Sequence, residues 1–134
     1  MSAATEYLLD VSVLVAFGVR RHVFHTRIAA WMKAGQFSSL LTCSITELGF
    51  VRVLVQTPQY ALSVDEAREL LAQIKESSGL PFKFIADDQD VSKLPGWVKA
   101  GSQTTDGHLL QLALAHGAEL ATLDGRIPGA FLMP

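Results

Sequence analysis

The feature that most constrains the fold is a short apolar run that ends on an aspartate and is followed at once by a second apolar run. The run 7–9 (Tyr-Leu-Leu) precedes Asp10, and the run 11–15 (Val-Ser-Val-Leu-Val) follows it. Apolar residues on both sides of an acid predict a buried strand, a turn and the start of a buried helix. In an open parallel sheet, functional groups lie just beyond the carboxyl ends of the strands. We therefore expect the Asp10 carboxylate to lie in such a crevice.

The same alternation of short apolar runs and amphipathic segments continues along the chain. Strands are predicted over 6–10, 39–43, 82–85 and 119–123, with a short edge strand over 130–133. Helices are predicted over 12–18, 22–34, 44–55, 63–78 and 104–117. Strands that alternate with helices predict a three-layer α/β/α sandwich with a central, mainly parallel sheet. We find no repeats or linkers and expect a single domain over residues 1–134.

Composition limits the function classes. The chain has 134 residues, of which 49% are hydrophobic and 18% charged, so it can bury a sizeable core. Its net charge of −2 argues against a pure nucleic-acid-binding module, which needs lysines and arginines to neutralise phosphates. The charge does not exclude an enzyme that reaches phosphates through metal ions.

The single cysteine, Cys43, excludes an internal disulfide and indicates a reducing compartment. It lies in an apolar run and is expected to be a buried core residue. No apolar stretch approaches the roughly 18 residues of a membrane helix, and the N-terminal residues lack the pattern of a signal peptide. We expect a cytoplasmic protein.

Four acids occupy special places in this predicted fold. Asp10 and Asp124 each end an apolar strand, Glu47 lies in the first turn of a helix, and Asp106 begins another helix. Strand ends and the starts of the helices that follow them share one edge of a parallel sheet. We see no lysine or arginine between these acids, so they would repel one another unless a cation neutralised them. Oxygen ligands favour Mg²⁺ or Mn²⁺, which suits metal-assisted phosphodiester hydrolysis.

Each acid also has a structural interpretation. Glu47 completes a capping box with Ser44, Asp106 is favoured by the dipole of its helix, and Asp124 with Gly125 forms a turn motif. A second capping box, Ser63 to Glu66, is read as a cap only. Asp10 is hardest to explain structurally, because an acid between two buried runs is rarely a packing residue.

Several other residues invite a functional interpretation. The four histidines form no metal motif, and Trp31 falls on the apolar stripe of its helix, which indicates a core residue. Trp97 lies in a loop between Lys93 and Lys99. It could stack on an RNA base or pack within its loop, and the sequence leaves both readings open.

Taken together, the motifs resemble those of PIN-domain proteins, and more closely VapC-type toxin ribonucleases of toxin–antitoxin pairs. The resemblance covers nearly the whole chain, in the order and spacing of that family. The residues that carry it are Leu8 to Leu14, His25 and Trp31, Thr46 to Leu54, Thr105 to Leu110, Leu112 to Gly117, and Leu120 to Asp124.

The resemblance implies a metal site and an activity. Asp10, Glu47, Asp106 and Asp124 would bind Mg²⁺, for which Mn²⁺ can substitute, with Ser12 and Thr122 as auxiliary residues. The implied enzyme is an endoribonuclease that cleaves structured RNA, tRNA or ribosomal RNA, with a metal-activated water. We expect 5′-phosphate and 3′-hydroxyl ends, since no residue stands out as a base for the 2′-hydroxyl.

The resemblance also implies partners. These are a small antitoxin, whose tail covers the acidic pocket, often with an inserted arginine, and a second copy in a homodimer. The high apolar fraction fits an apolar groove for antitoxin helices and a dimer face near residues 47–55.

Two other functions remain open from the residues alone. One is a PIN-like module that binds RNA or protein without turnover. The other is an aspartate-dependent phosphatase with Asp10 as phosphoacceptor, although Ser12 stands where such enzymes carry a second acid.

Overall fold

Five parallel strands form the centre of the described part of the chain. The computed structural model describes residues 4–134. The sheet has the order β3-β2-β1-β4-β5, and every neighbouring pair is parallel. In the register of the central strands, Leu8 pairs with Leu41 on one side and with Leu120 on the other. The strands are β1 (Glu6–Leu9), β2 (Ser39–Thr42), β3 (Phe82–Phe84), β4 (Glu119–Thr122) and β5 (Phe131–Leu132).

Within residues 4–134, five α-helices connect and cover these strands. Two short 3₁₀ turns, Val91–Lys93 and Gly101–Gln103, interrupt the long connection between β3 and the last helix. None of the helices in the described part of the chain is both long and apolar enough to cross a membrane. The helices are α1 (Val11–Gly18), α2 (His25–Ala34), α3 (Ser44–Gln56), α4 (Val64–Ser77) and α5 (Thr104–Ala115).

The sheet buries both of its faces, which confirms the predicted three-layer α/β/α architecture. Alternate residues of a strand point to opposite faces. Tyr7 and Leu9 accordingly join a core formed with α1 to α4, whereas Leu8 joins a second core with α5. The single-domain prediction over 1–134 includes residues 1–3, which lie outside the described range.

Most predicted element boundaries agree with the structure to within one or two residues. The helix predicted from residue 22 begins only at His25, because turns occupy the preceding residues. Gly35 and Gly117 end their helices with a φ of 68°, a left-handed conformation that glycine adopts without strain. The capping box of Ser63 and Glu66 is confirmed, with bonds of 2.9 and 3.0 Å.

Residues predicted to be structural lie in the two cores. Cys43 is free and fully buried. Trp31 packs edge-on against Tyr7, with ring centroids 5.1 Å apart, and also contacts Phe131. His25 has a packing role, since its Nδ1 lies 2.9 Å from the Ala16 carbonyl oxygen.

Candidate active site at the carboxyl edge of the sheet

Asp10 is the most buried acid of the site, with 9% of its surface exposed. It follows β1 directly and is the N-cap of α1, where Oδ1 accepts a hydrogen bond of 2.8 Å from the Val11 N–H. Oδ2 accepts a second bond of 2.8 Å from the Thr122 hydroxyl. Burial raises the pKa of Asp10, the two hydrogen bonds oppose that shift, and the charge of Asp124 adds to it. The ionised carboxylate is therefore costly here, although its position is fixed on both oxygens.

Two hydroxyl residues tie the loop after β4 to the start of α1. Thr122 donates to Asp10 and accepts the Asp124 N–H at 3.0 Å, so it links two of the predicted acids. The Ser12 hydroxyl accepts the Leu123 N–H at 3.3 Å. Both predicted auxiliary residues thus have positions that orient the acids and their loop.

The Asp124 carboxylate forms an ion pair with Arg126 of the same chain. The Arg126 guanidinium donates to both carboxylate oxygens, with Nε to Oδ1 at 2.9 Å and Nη2 to Oδ2 at 3.0 Å. The Arg126 N–H also donates to Oδ1 at 2.9 Å, which closes the predicted turn. The bonds from Arg126 lower the pKa of Asp124, so this carboxylate stays ionised at lower pH than an isolated one.

Asp106 lies half-buried in the first turn of α5. Burial raises its pKa, and the negative charges of Asp10 and Asp124 raise it further. These influences show that the three aspartates lie within electrostatic reach of one another. Asp106 and Asp124 line one cleft of about 230 Å³, together with Trp97, Ser102, Gln103, Arg126 and Ile127.

Gly107 explains how the loop before α5 reaches this cleft. A Cβ atom at this buried position would lie 2.4 Å from Val98 Cγ2 and 3.3 Å from Pro95 Cδ. Only glycine therefore lets the loop of residues 94–98 lie directly on the first turn of α5. The residue after Asp106 is glycine because of this packing.

Glu47 is held differently from the three aspartates. Its Oε2 accepts the Thr42 hydroxyl at 2.6 Å and forms an ion pair of 2.6 Å with Lys75 of α4. The capping-box interpretation of Glu47 is wrong, because the N-cap of α3 is Cys43. Thr46 occupies the capping position instead, and its Oγ1 accepts the Cys43 N–H at 3.0 Å.

The expectation that no basic residue stands among the acids is also wrong. Lys75 pairs with Glu47, and Arg126 pairs with Asp124. Within residues 4–134, no three acidic, histidine or cysteine side chains are arranged to hold one metal ion as they stand. The charges of Asp10, Asp106 and Asp124 therefore act on one another, whereas Glu47 of α3 is paired with Lys75 of α4.

Comparison with known proteins identifies the family. The sequence model of the PIN-domain family matches residues 7–130. The chain belongs to the PIN-domain family. Ribonuclease VapC44 of Mycobacterium tuberculosis is 37% identical over 134 residues, which cover 92% of each chain. Ribonuclease VapC38 of the same organism is 36% identical over 127 residues, which cover 90% of this chain and 86% of the relative.

A solved structure shares the fold. The crystal structure of VapBC2 from Rickettsia felis bound to a DNA fragment from their promoter contains a chain that matches with a TM-score of 0.60. That match covers 95% of this PIN domain and 96% of the other chain, at 13% identity. At this identity the likeness supports the fold.

The donor set of this PIN domain fits a hard divalent cation. Asp10 and Asp106 offer carboxylate oxygens, and burial raises the pKa of each, so a bound cation would favour their ionised forms. Magnesium and manganese prefer such oxygen ligands over thiolate or imidazole. The residues present therefore suit the metal that the resemblance implies.

Sequence reasoning missed Lys75, Arg126 and the role of Gly107. Arg126 left a weak signal, since an Asp-Gly-Arg turn can return the guanidinium to the aspartate. Lys75 left none, because it lies 28 residues from Glu47 and meets it only when α4 packs on α3.

Proposed function

We propose that this PIN domain is a divalent-metal-dependent endoribonuclease and the toxin of a toxin–antitoxin pair that acts in the cytoplasm. The observation that carries the proposal is Asp10, a buried acid whose two oxygens are fixed by Val11 and Thr122. Burial raises the pKa of Asp10, the charge of Asp124 adds to that shift, and the charges of Asp10 and Asp124 in turn raise the pKa of Asp106. A chain keeps such an arrangement, which costs folding free energy, where the charges serve a function.

Asp10, Asp106 and Asp124 would hold Mg²⁺ or Mn²⁺, with Glu47 as the fourth acid. When bound, the ion would activate a water molecule and offset charge on the phosphate and the leaving oxygen. Thr122 orients Asp10 through its hydroxyl and holds the Asp124 backbone, so the two carboxylates keep a fixed relation. Asp124 can serve only if Arg126 releases its oxygens, since the guanidinium occupies both.

The cleft also bears on the reaction products. A route through the RNA 2′-hydroxyl needs a general base, most often histidine, within hydrogen-bond reach. The residues that line the cleft in the described part of the chain include no histidine. We therefore propose direct hydrolysis, which leaves 5′-phosphate and 3′-hydroxyl ends.

The test is cleavage of total cellular RNA by antitoxin-free protein. We expect discrete cuts with Mg²⁺ or Mn²⁺, and none with EDTA or in Asp10→Asn. The matched control is Asp65→Asn, an exposed acid in the first turn of α4. Cutting that persists in EDTA, or 2′,3′-cyclic phosphate ends, would contradict the mechanism. Sequencing of the cut ends would show whether the target is tRNA or ribosomal RNA.

An apolar groove beside Glu47 supports the antitoxin as partner. It has a volume of about 510 Å³ and lies between α3 and α4, where Leu48 is 63% and Phe84 50% exposed. An amphipathic antitoxin helix would cover this surface. Leu48→Glu should abolish co-purification with the product of the adjacent small gene, whereas Leu114→Glu, at an exposed leucine on α5, should not.

The homodimer is proposed on the same surface of α3. Light scattering of the antitoxin-free protein at several concentrations tests it, with Leu48→Glu as the disrupting variant. A monomer at all concentrations would contradict the dimer but leave the nuclease proposal untouched.

One observation favours a second function, a PIN-like binding module without turnover. Lys75 and Arg126 already compensate Glu47 and Asp124, so the acids need no external cation for those two charges. Calorimetry with Mn²⁺ separates the two functions. Absence of metal binding, with RNA affinity retained, would favour the module.

A further inference from the structure

We propose that Trp97 forms a stacking subsite for the RNA base next to the cleaved phosphodiester, with Arg126 as the contact for a phosphate. The inference rests on the proposed nuclease function and adds to it a residue that recognises the substrate. It also resolves the two readings of Trp97 that the sequence leaves open.

Trp97 lines the same cleft as Asp106 and Asp124. The indole is half-buried, because part of it packs against the core around α5 while the rest faces the cleft. If the phosphate of a nucleotide lies at the aspartates, the base of that nucleotide would therefore be able to reach the Trp97 ring.

The loop that carries Trp97 is preorganised. The Val98 N–H bonds the Pro95 carbonyl at 3.1 Å, which closes a turn around Trp97. The Gln103 Oε1 accepts the backbone N–H groups of Lys99 and Ala100 at 2.8 and 3.0 Å. Together with the close packing at Gly107, these bonds fix the backbone that carries the indole before any ligand binds. A fixed aromatic ring loses little entropy when a base stacks on it.

Arg126 supplies positive charge at the cleft. A cleft with only aspartates would repel RNA, and the chain as a whole carries a net charge of −2. The Arg126 side chain is 91% exposed, and its two-pronged bond to Asp124 has the geometry with which arginine also binds phosphate. Lys93 and Lys99 flank Trp97 in the sequence and are exposed, so they add positive charge to the same connection.

The chemistry of stacking defines what this subsite takes. Every base has a π face, so the subsite would tolerate any base but would require one that is unpaired and can be splayed out. Trp97 should therefore act mainly on KM, because it touches the base and not the reacting phosphate. The substrate would be RNA that presents an unpaired nucleotide at the cleavage position.

The experiment measures binding without cleavage, in an Asp10→Asn background. The probes are a fluorescein-labelled short oligoadenylate and an oligomer of the same length made of abasic spacers, followed by fluorescence anisotropy in Mg²⁺. Trp97→Leu keeps an apolar side chain against the core but lacks an aromatic face, and Trp97→Phe keeps the face. We expect Trp97→Leu to weaken oligoadenylate binding by about tenfold, to leave abasic binding unchanged, and Trp97→Phe to restore most of the loss.

Two further readouts separate stacking from structure. The chain has two tryptophans, so Trp31→Phe leaves Trp97 as the only one, and oligoadenylate should quench its emission while the abasic oligomer should not. Arg126→Ala should weaken both oligomers and lower the salt dependence of binding by about one ion.

The outcomes also separate this subsite from the nuclease itself. Equal binding of oligoadenylate by Trp97→Leu and its parent, or an unchanged KM for RNA cleavage, would overturn the subsite while the nuclease stands. Equal binding of the two oligomers by the parent would overturn it as well. Failure of the otherwise unmodified protein to cut any RNA in metal would overturn the proposed function first.

Discussion

Asp10 and Glu47 follow neighbouring strands, and a threonine hydroxyl donates a hydrogen bond to each carboxylate. The last residue of β4, Thr122, donates its hydroxyl to Asp10 at 2.8 Å, and the last residue of β2, Thr42, donates to Glu47 at 2.6 Å. Their charges are treated differently. Lys75 compensates the charge of Glu47, whereas among the residues that the structure describes Asp10 forms no ion pair, so its charge is stabilised only by two hydrogen bonds and not by a cation.

Because of this difference, we expect two acids that look equivalent in the sequence to contribute unequally to metal binding. An uncompensated buried carboxylate gains most from an added cation, so Asp10 should be the main source of metal affinity. Glu47 already has a cation, so its contribution requires that Lys75 be displaced or shared. The predictions below test that ranking.

The largest effect is expected at Asp10. Asp10→Asn should lower kcat/KM for RNA cleavage by about 10²-fold or more, because several kcal/mol of transition-state stabilisation depend on the metal. The same substitution should raise Tm at neutral pH. Thermal unfolding followed by circular dichroism checks this, with Asp65→Asn as the control.

The pH dependence of that stability gain has a definite sign. The folded-state pKa of Asp10 is raised, so its ionised form destabilises the folded protein above that pKa. The penalty is lost as the pH falls through the folded-state pKa and is absent below the unfolded value. The difference in Tm between Asp10→Asn and the parent should therefore close on acidification, and a difference that is constant with pH would contradict the account.

The second prediction concerns the two threonines. Thr122→Val should weaken Mn²⁺ binding by about 10- to 100-fold, as loss of a residue that orients a metal ligand generally does. Thr42→Val should have a smaller effect, because Lys75 still holds Glu47. Calorimetry with Mn²⁺ measures both, and Thr122→Ser, which keeps the hydroxyl, should bind as the parent does. Equal losses for both valine variants would break the proposed difference between the acids.

Local pattern made much of this site predictable. Asp10 follows a buried run, and that run fixes both its depth and the edge of the sheet where it lies. The predicted position of Glu47 in the first turn of α3 is correct, but its predicted capping interaction is wrong. Ser44-x-x-Glu47 and Cys43-x-x-Thr46 both fit a capping box. The choice depends on where α3 begins, which the chain decides by packing Cys43 into the core.

The rest depended on contacts between distant segments. Lys75 reaches Glu47 because α4 packs on α3, and nothing local to either residue encodes that approach. Glycine is a weak helix former, yet Gly107 stands in the first turn of α5 because its missing side chain makes room for Val98. Steric needs of this kind become visible only when two segments are placed together.

A third prediction concerns the contact between α1, which Asp10 caps, and α3, which carries Glu47. Gly49 lies where α3 meets α1, and a Cβ atom there would stand 2.5 Å from Val11 Cγ2, directly beside Asp10. Gly49→Ala should reduce the free energy of unfolding by about 1–3 kcal/mol through overpacking. Gly101→Ala, where a Cβ atom would meet nothing within 4 Å, is the matched control. Urea denaturation measures both, and equal stability of the two variants would show that α1 and α3 can separate without cost.

The smallest effect is expected from removing the internal cation of Glu47. Lys75→Met keeps most of the side-chain stem but deletes the ammonium that pairs with Glu47 and lies 5.6 Å from the centroid of the Phe84 ring. Because partly exposed ion pairs contribute at most about 1 kcal/mol, Mn²⁺ affinity should rise by no more than about fivefold. Lys33→Met, at an exposed lysine of α2, should leave affinity unchanged. A loss of affinity in Lys75→Met would mean that the lysine positions Glu47 for the metal, and Asp10 and Glu47 would then depend alike on their neighbours.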